Sequence, residues 1–223
     1  MNQSITNVNL DITTFCDRAC PNCCAATNGK LFRPQVHHDW AYFERAAKVL
    51  YGIERVLLCG GEPTYHPQFA EFVPKFKELF GCKTLAMVTD GWGVELHYAT
   101  IRSHIDEIDY TDYWTPRGMR AGAIAEMLMG EKSATFRVFN AGPHMENFTP
   151  RSRVGGGQPC ERAWWRSGTI AYADGKVYGC CVAPGIEGSD AMEIPADFAD
   201  ESLVTILPSI MPLVPCGNCF FSE

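Results

Sequence analysis

The chain has 223 residues, of which 46% are hydrophobic and 20% are charged, and its formal net charge is −7. This length can bury one substantial core, and because no apolar run is long enough to cross a bilayer and no secretory leader is evident, we expect a cytoplasmic protein with no membrane partner. The acidic balance disfavours a passive nucleic-acid coat. The 11 cysteines are unusual for a cytoplasmic chain, where clustered thiols more often bind metal than form disulfides.

The hydrophobic pattern predicts strands that alternate with helices. Asp39 is the expected N-cap of the first helix, Gly52 and Gly81 suit helix ends, and Pro74 is expected to bend the second helix. Alternation at these lengths favours parallel strands joined by right-handed crossovers, and therefore an α/β fold of the open or partial (β/α) barrel type. Its reactive loops should follow the C-terminal ends of strands. The predicted strands are 8–12, 56–58, 84–88, 108–113 and 135–139, and the predicted helices are 40–50, 69–79, 94–103 and 119–129.

The pattern changes around residue 141 to a connection rich in Gly, Pro and Arg. We place a domain boundary near residue 150, which divides the chain into a barrel core, residues 1–150, and a small appendage, residues 151–223. In the appendage, strands 170–173 and 176–178 flank Asp174 and Gly175, a two-residue signal for a β-hairpin.

A first group of cysteines, Cys16, Cys20 and Cys23, has the spacing CxxxCxxC and directly follows the first strand. This spacing can direct three thiolates to one iron-sulfur cluster and leave one iron without a protein ligand, so that an exogenous amine and carboxylate can bind there. Zinc binding is the alternative for such a triad. Cys59 and Cys82 are expected to be buried, packed thiols.

Two further motifs follow the second and third strands. Residues 60–63, Gly-Gly-Glu-Pro, are called the GGEP loop below, and residues 89–91, Thr-Asp-Gly, the TDG turn. Close approach of a ligand explains the two glycines, and a carboxylate explains recognition of an ammonium group. Taken alone, the GGEP loop could equally be an ordinary turn.

In this order the motifs resemble those of the radical S-adenosylmethionine (SAM) superfamily. The resemblance implies that the cysteine triad holds a SAM-binding 4Fe-4S cluster, that Gly60, Gly61, Glu62 and Pro63 receive the SAM amino group, and that the TDG turn, with Thr89 and Asp90, lies near SAM. One position departs from the family. Asn22 stands where a hydrophobic or aromatic residue is common, so the contact with adenine is expected to differ.

A second group of cysteines lies after residue 150, and it ends in a CGNC segment that suits a metal site. By spacing alone a structural zinc remains open. The group resembles that of the twitch appendage, a shortened relative of the SPASM domain, which implies an auxiliary 4Fe-4S cluster. Gly175 to Cys180 fits the Gly-x4-Cys phrase of that appendage, and Cys181 is either a substitute ligand or a non-ligand. The implied ligands are Cys160, Cys180, Cys216 and Cys219.

The motif order of nearly the whole chain is similar to that of twitch dehydrogenases acting on aminocyclitols. This implies reductive cleavage of SAM to a 5′-deoxyadenosyl radical, hydrogen abstraction from a small-molecule substrate, and oxidation with the help of the auxiliary cluster. A reducing electron donor such as flavodoxin or ferredoxin is the implied partner. Peptide maturation, nucleotide modification and a noncatalytic iron-sulfur or zinc protein remain open. Arg153 is a candidate substrate contact, with a solvated loop arginine as the alternative.

Overall fold

The structure, a computed structural model, describes residues 5–18, 34–112, 135–140, 168–179 and 192–193. In these residues strands and helices alternate as far as the fourth strand, as the sequence predicts, and four further strands are described after it. The elements are β1 (Asn7–Thr13), α1 (Trp40–Leu50), β2 (Arg55–Gly60), α2 (Phe69–Phe80), β3 (Thr84–Thr89), α3 (Tyr98–His104), β4 (Glu107–Asp112), β5 (Thr135–Asn140), β6 (Thr169–Ala173), β7 (Lys176–Tyr178) and β8 (Met192–Glu193).

The described strands form one sheet in the order β5-β4-β3-β2-β1-β6-β7-β8. All pairs from β5 to β6 are parallel, and the last two pairs are antiparallel. Because the paired strands β1 to β5 run in one direction, their C-terminal ends lie at the same edge, which is where functional loops are found in such sheets. The arrangement is compatible with a partial barrel. Within the described parts of the chain, no helix combines the length and apolarity needed to span a bilayer.

The helices pack against one face of the sheet. Val8, Leu10 and Ile12 of β1 are buried in the same apolar core as aromatic residues of α1 and α2, among them Phe43 and Phe76, whose ring centroids are 5.0 Å apart. Side chains alternate along a strand, so the residues between these three point to the opposite face. The alternation seen in the sequence therefore separates an apolar helix-facing side from a more polar one.

The ends of the helices follow the sequence signals. The backbone N–H of Tyr42 donates to Asp39 Oδ1 over 2.9 Å, which makes Asp39 the N-cap of α1. Gly52 and Gly81 have φ values of 83° and 61°, in the left-handed region that glycine adopts without strain. Pro74 lies inside α2, which continues to Phe80.

The third helix begins later than the sequence predicts, at Tyr98 instead of residue 94. The preceding residues form turns, in which the N–H of Val94 donates to the Gly91 carbonyl and that of His97 to the Gly93 carbonyl. Gly93 is also packed so closely against Thr64 that a Cβ would lie 2.4 Å from Thr64 Oγ1. Tertiary packing therefore overrides the helical pattern there. The predicted helix 119–129 lies outside the described residues.

The predicted hairpin is present, since β6 and β7 are antiparallel around Asp174 and Gly175, both with positive φ. However, β6 also pairs in parallel with β1, from Asn7↔Thr169 to Leu10↔Tyr172. The hairpin therefore extends the main sheet, and the structure does not show it as a separate appendage. The boundary near residue 150 lies outside the described residues and stays a prediction.

Replacing Asp39 by Ala should destabilise the protein by about 1 kcal/mol, because the first turn of α1 loses its side-chain cap. Gln68→Ala is the matched control, since Gln68 is the N-cap residue of α2 but makes no capping hydrogen bond. Denaturant unfolding of both variants measures the difference. Equal loss of stability in the two variants would contradict the role given to Asp39.

Candidate functional site

The loop that carries the first cysteines is closed at its base by backbone pairing. We call residues 15–35 the cysteine loop. Residues 12–14 before it pair with residues 36–38 after it, through Thr14 N–H to the Val36 carbonyl at 2.9 Å and His38 N–H to the Ile12 carbonyl at 3.2 Å. The Thr14 hydroxyl adds a 2.6 Å bond to the Pro34 carbonyl. The two ends of the loop are therefore fixed at the end of β1.

Of the residues predicted to hold the first cluster, Cys16 lies within the described chain, where it is partly buried. Cys20, Asn22 and Cys23 fall outside the described residues. The same is true of Arg153 and of the four predicted ligands of the second cluster, Cys160, Cys180, Cys216 and Cys219. The described residues hold no group of three or more His, Cys, Asp or Glu side chains that could bind a metal ion. Both clusters stay predictions.

The GGEP loop lies directly against the start of the cysteine loop. Gly61 N–H donates to the Thr13 carbonyl at 2.7 Å, and Glu62 N–H donates to the Phe15 carbonyl at 3.0 Å. A Cβ on Gly60 would lie 2.1 Å from the Thr13 oxygen, and one on Gly61 would lie 2.0 Å from the Phe15 oxygen. Sequence reasoning attributed these glycines to close approach of a ligand. In the structure, the backbone leading to Cys16 occupies that space.

Glu62 connects the GGEP loop to the TDG turn. Its buried carboxylate accepts four hydrogen bonds, three at Oε1 and one at Oε2. Oε1 accepts from the Thr64 hydroxyl at 2.6 Å, the Thr64 backbone N–H at 3.2 Å and the Thr89 hydroxyl at 2.9 Å. Oε2 accepts from the Asp90 backbone N–H at 2.8 Å. Three of the predicted site residues are therefore joined, because Thr89 and Asp90 both donate to Glu62.

The charge of Glu62 is held in an unfavourable environment. The pKa of Glu62 is raised to about 7, first by burial and second by the nearby negative charge of Asp90, while the hydrogen bonds from Thr64, Asp90 and Thr89 act in the opposite direction. Asp90 in turn pairs with Arg18 of the cysteine loop. The loops after β1, β2 and β3 thus meet in one network of charged groups.

The residues present fit the amino end of SAM. A carboxylate has about four acceptor positions, two on each oxygen. Glu62 Oε2 accepts one of the four bonds and so retains acceptor capacity for an ammonium group. Pro63 begins a short 3₁₀ helix (Pro63–Tyr65) and is itself buried.

Sequence reasoning gave no task to His66, which the structure places beside this site. His66 Nδ1 accepts from the Gln68 N–H at 3.1 Å, so Nε2 carries the proton and donates to the His38 carbonyl at 2.8 Å. Burial lowers the pKa of His66 and favours this neutral form. The imidazole joins the start of α2 to the segment that closes the cysteine loop. No sequence signal identifies such a bridge.

The sheet face opposite the helices carries polar side chains near the motif loops. Asp11 is buried, and its Oδ1 accepts from the Cys59 thiol at 3.3 Å across the β1–β2 pair. Nearer the start of β2, Arg55 pairs across β3 with Glu107 at 2.8 Å and Asp109 at 3.5 Å. Sequence reasoning assigned Cys59 to packing and did not single out Asp11. In the sequence, the polar residues that alternate with Val8, Leu10 and Ile12 are the one pattern that could have indicated a polar sheet face including Asp11.

Comparison with known proteins agrees with this motif order. Residues 10–111 match the model of the Radical SAM superfamily. Among curated proteins, no relative matches the sequence.

Similarities to solved structures lie below 25% identity and describe the fold. BtrN in complex with AdoMet and 2-DOIA has a TM-score of 0.61 at 15% identity over 83% of this chain and 76% of that one. Selenomethionine BtrN in an open conformation has a TM-score of 0.58 at 14% identity over 98% and 89% of the two chains. SuiB of Streptococcus suis bound to S-adenosylmethionine has a TM-score of 0.44 at 11% identity over 92% of this chain and 66% of that one.

Replacing Gly60 by Ala should separate the GGEP loop from β1, because the added Cβ would meet a backbone oxygen that cannot rotate away. We expect a loss of stability above about 2 kcal/mol, the range for severe backbone effects. Gly52→Ala is the control. Gly52 also has positive φ, but nothing lies within 4 Å of its Cβ position. Similar unfolding free energies for the two variants would show that strain alone, and not the contact, explains the glycine.

The difference in unfolding free energy between the native protein and Glu62→Gln should fall as pH rises from about 4.5 to 7. The pKa of Glu62 moves from an ordinary 4.5 to about 7 in the folded chain. The folded state therefore binds this proton more tightly, and the stability associated with it is lost as pH rises through that window, by up to roughly 3 kcal/mol.

Denaturant titrations across this pH range test the expectation. Burial lowers the pKa values of His37, His66 and His97, which gives the opposite pH slope. These histidines are present in both proteins, so their effect cancels in the difference. Parallel curves for the native protein and Glu62→Gln would contradict the assignment.

Proposed function

We propose that this protein, whose residues 10–111 match the radical SAM family model, is an enzyme that binds S-adenosylmethionine at a 4Fe-4S cluster and removes hydrogen from a substrate. The observation that carries the proposal is the meeting of three loops at the C-terminal edge of parallel strands, through Arg18, Asp90 and Glu62. When bound, SAM and the reduced cluster supply a 5′-deoxyadenosyl radical. The protein's own residues would position the substrate next to that radical and exclude water from the site.

In this proposal, Cys16, Cys20 and Cys23 hold the cluster, and Glu62 Oε2 accepts the ammonium group of SAM. A buried carboxylate is well suited to that task, because an opposite charge in a site with little water is strongly favoured. The close packing of Gly60 and Gly61 against the backbone before Cys16 holds the GGEP loop beside the first proposed cluster ligand. Thr89 keeps the Glu62 carboxylate in place, and Asn22, next in sequence to the third proposed ligand, is the residue proposed to contact adenine.

The second group of cysteines is proposed to hold an auxiliary 4Fe-4S cluster. The CGNC segment and the Gly-x4-Cys phrase that ends at Cys180 support it. Four thiolates would close the coordination of this cluster and leave no iron for SAM. Its proposed task is to accept an electron from the substrate radical, which would make the net reaction an oxidation. The proposed ligands are Cys160, Cys180, Cys216 and Cys219.

We favour a small polar molecule as substrate. The sheet face opposite the helices carries the buried Asp11 carboxylate and the Cys59 thiol close to the motif loops, and both can hydrogen-bond to hydroxyl or amino groups. BtrN, which has a similar fold, was solved with AdoMet and 2-DOIA, so a small-molecule ligand is the chemistry to test first. Arg153 is a candidate substrate contact. A flavodoxin or ferredoxin is the proposed electron donor, and peptide or nucleotide substrates are the alternatives.

The protein reconstituted anaerobically with iron and sulfide should convert SAM to 5′-deoxyadenosine when dithionite is added. Cys16→Ala should abolish this conversion, because the first cluster loses a ligand. Cys82→Ala should retain it, since Cys82 is a buried thiol just before β3, at the opposite end of the strands.

Product analysis by mass spectrometry and iron and sulfide analysis complete the experiment. Two clusters correspond to about eight iron atoms per chain. A fully loaded protein that releases no 5′-deoxyadenosine would disprove the proposed enzyme. Zinc in place of iron would favour a structural metal protein.

A further inference from the structure

An ion pair that is largely shielded from water ties the cysteine loop to the TDG turn. Arg18 lies between Cys16 and Cys20 in sequence, and its Nε donates to Asp90 Oδ2. The Arg18 side chain is 12% exposed and that of Asp90 is 6% exposed. Water therefore screens the pair little, in contrast to the exposed pairs on the helices, which contribute little to stability.

Asp90 has further bonds that place it at the centre of the network. Its backbone N–H donates to Glu62 Oε2 at 2.8 Å, and its Oδ1 accepts from the Trp92 N–H at 2.9 Å. The second bond closes the turn locally, while the first reaches the GGEP loop. Through this one residue, the position of Arg18 is linked to the position of the Glu62 carboxylate.

We infer that Arg18 and Asp90 are positioning residues that hold the cysteine loop against the GGEP loop before SAM binds. The inference rests on the proposed function, since it concerns the same site. A loop that is already ordered loses less conformational entropy when the ligand binds. The two residues can therefore raise the affinity for a ligand that they do not contact. SAM affinity, more than the stability of the sheet, should therefore depend on the pair.

The Asp90 side chain offers a test with little disturbance of the turn. Asp90→Asn keeps the backbone N–H that reaches Glu62 and a side-chain oxygen for the Trp92 N–H, but it removes the charge that pairs with Arg18. The substitution thus keeps the hydrogen bonds of Asp90 and removes its charge, whereas Arg18→Ala breaks the ion pair and leaves that charge beside Glu62.

The experiment measures the dissociation constant for SAM on the reconstituted protein with matched cluster content. Asp90→Asn and Arg18→Ala should each weaken SAM binding by about tenfold, the size expected for one lost bond to a charged group. The double variant should be no weaker than either single variant, because both remove the same interaction. Lys75→Ala is the control, since Lys75 pairs with Glu71 at 3.2 Å on the exposed side of α2.

Two further measurements distinguish the loss of the ion pair from a general loss of structure. Arg18→Lys keeps a positive charge and should recover part of the affinity lost in Arg18→Ala. Amide hydrogen exchange should be faster at residues 15–18 in Asp90→Asn, with strand β3 unchanged. Exchange that rises equally in β3 and in residues 15–18 would instead indicate general destabilisation and overturn the inference.

Native affinity in both single variants, or additive losses in the double variant, would also overturn it. Such results would leave the proposed enzyme intact as long as the native protein cleaves SAM. If the native protein is fully loaded and does not cleave SAM, the proposed function fails. The exchange result still reports on the ion pair in that case.

Discussion

The buried carboxylate of Glu62 is the constraint on which the arrangement of the loops depends. Removing a carboxylate from water is costly unless its oxygens find donors. Here the donors come from Thr64, Thr89 and Asp90, which lie on loops that follow two different strands. Neither loop can shift by much without leaving part of the charge unsolvated, and the two therefore behave as one unit.

The register of the parallel strands brings those loops together. Leu10 of β1 lies beside Leu58 of β2, which lies beside Met87 of β3, so the three strands end at nearly the same level. Between Asp11 and Thr13 the pairing with β2 shifts by one residue. This irregularity brings Thr13 opposite Gly60, where a side chain would collide with the Thr13 carbonyl. The shift in register between β1 and β2 therefore requires a glycine at position 60 of the GGEP loop.

Local signals predicted the elements well, while contacts between distant segments could not be predicted. The Asp39 cap, the Gly81 helix end and the hairpin at Asp174 and Gly175 each depend on a few neighbouring residues. The late start of α3 depends on Gly93 packing against Thr64, far away in sequence. For the site, the motifs named Glu62, Thr89 and Asp90, but side-chain pairing such as that of Arg18 or His66 has no periodic pattern to reveal it.

Strand β1, which leads into Cys16, lies between β2 and β6 and is hydrogen-bonded on both sides. Residues on either side of the predicted boundary at 150 therefore share one backbone ladder. A shortened chain that ended at residue 150 would strip β6 away and turn β1 into an open edge. An open edge offers unpaired N–H and C=O groups to other chains and invites aggregation. The strand that presents the first cysteine would then itself be exposed to pairing with other chains.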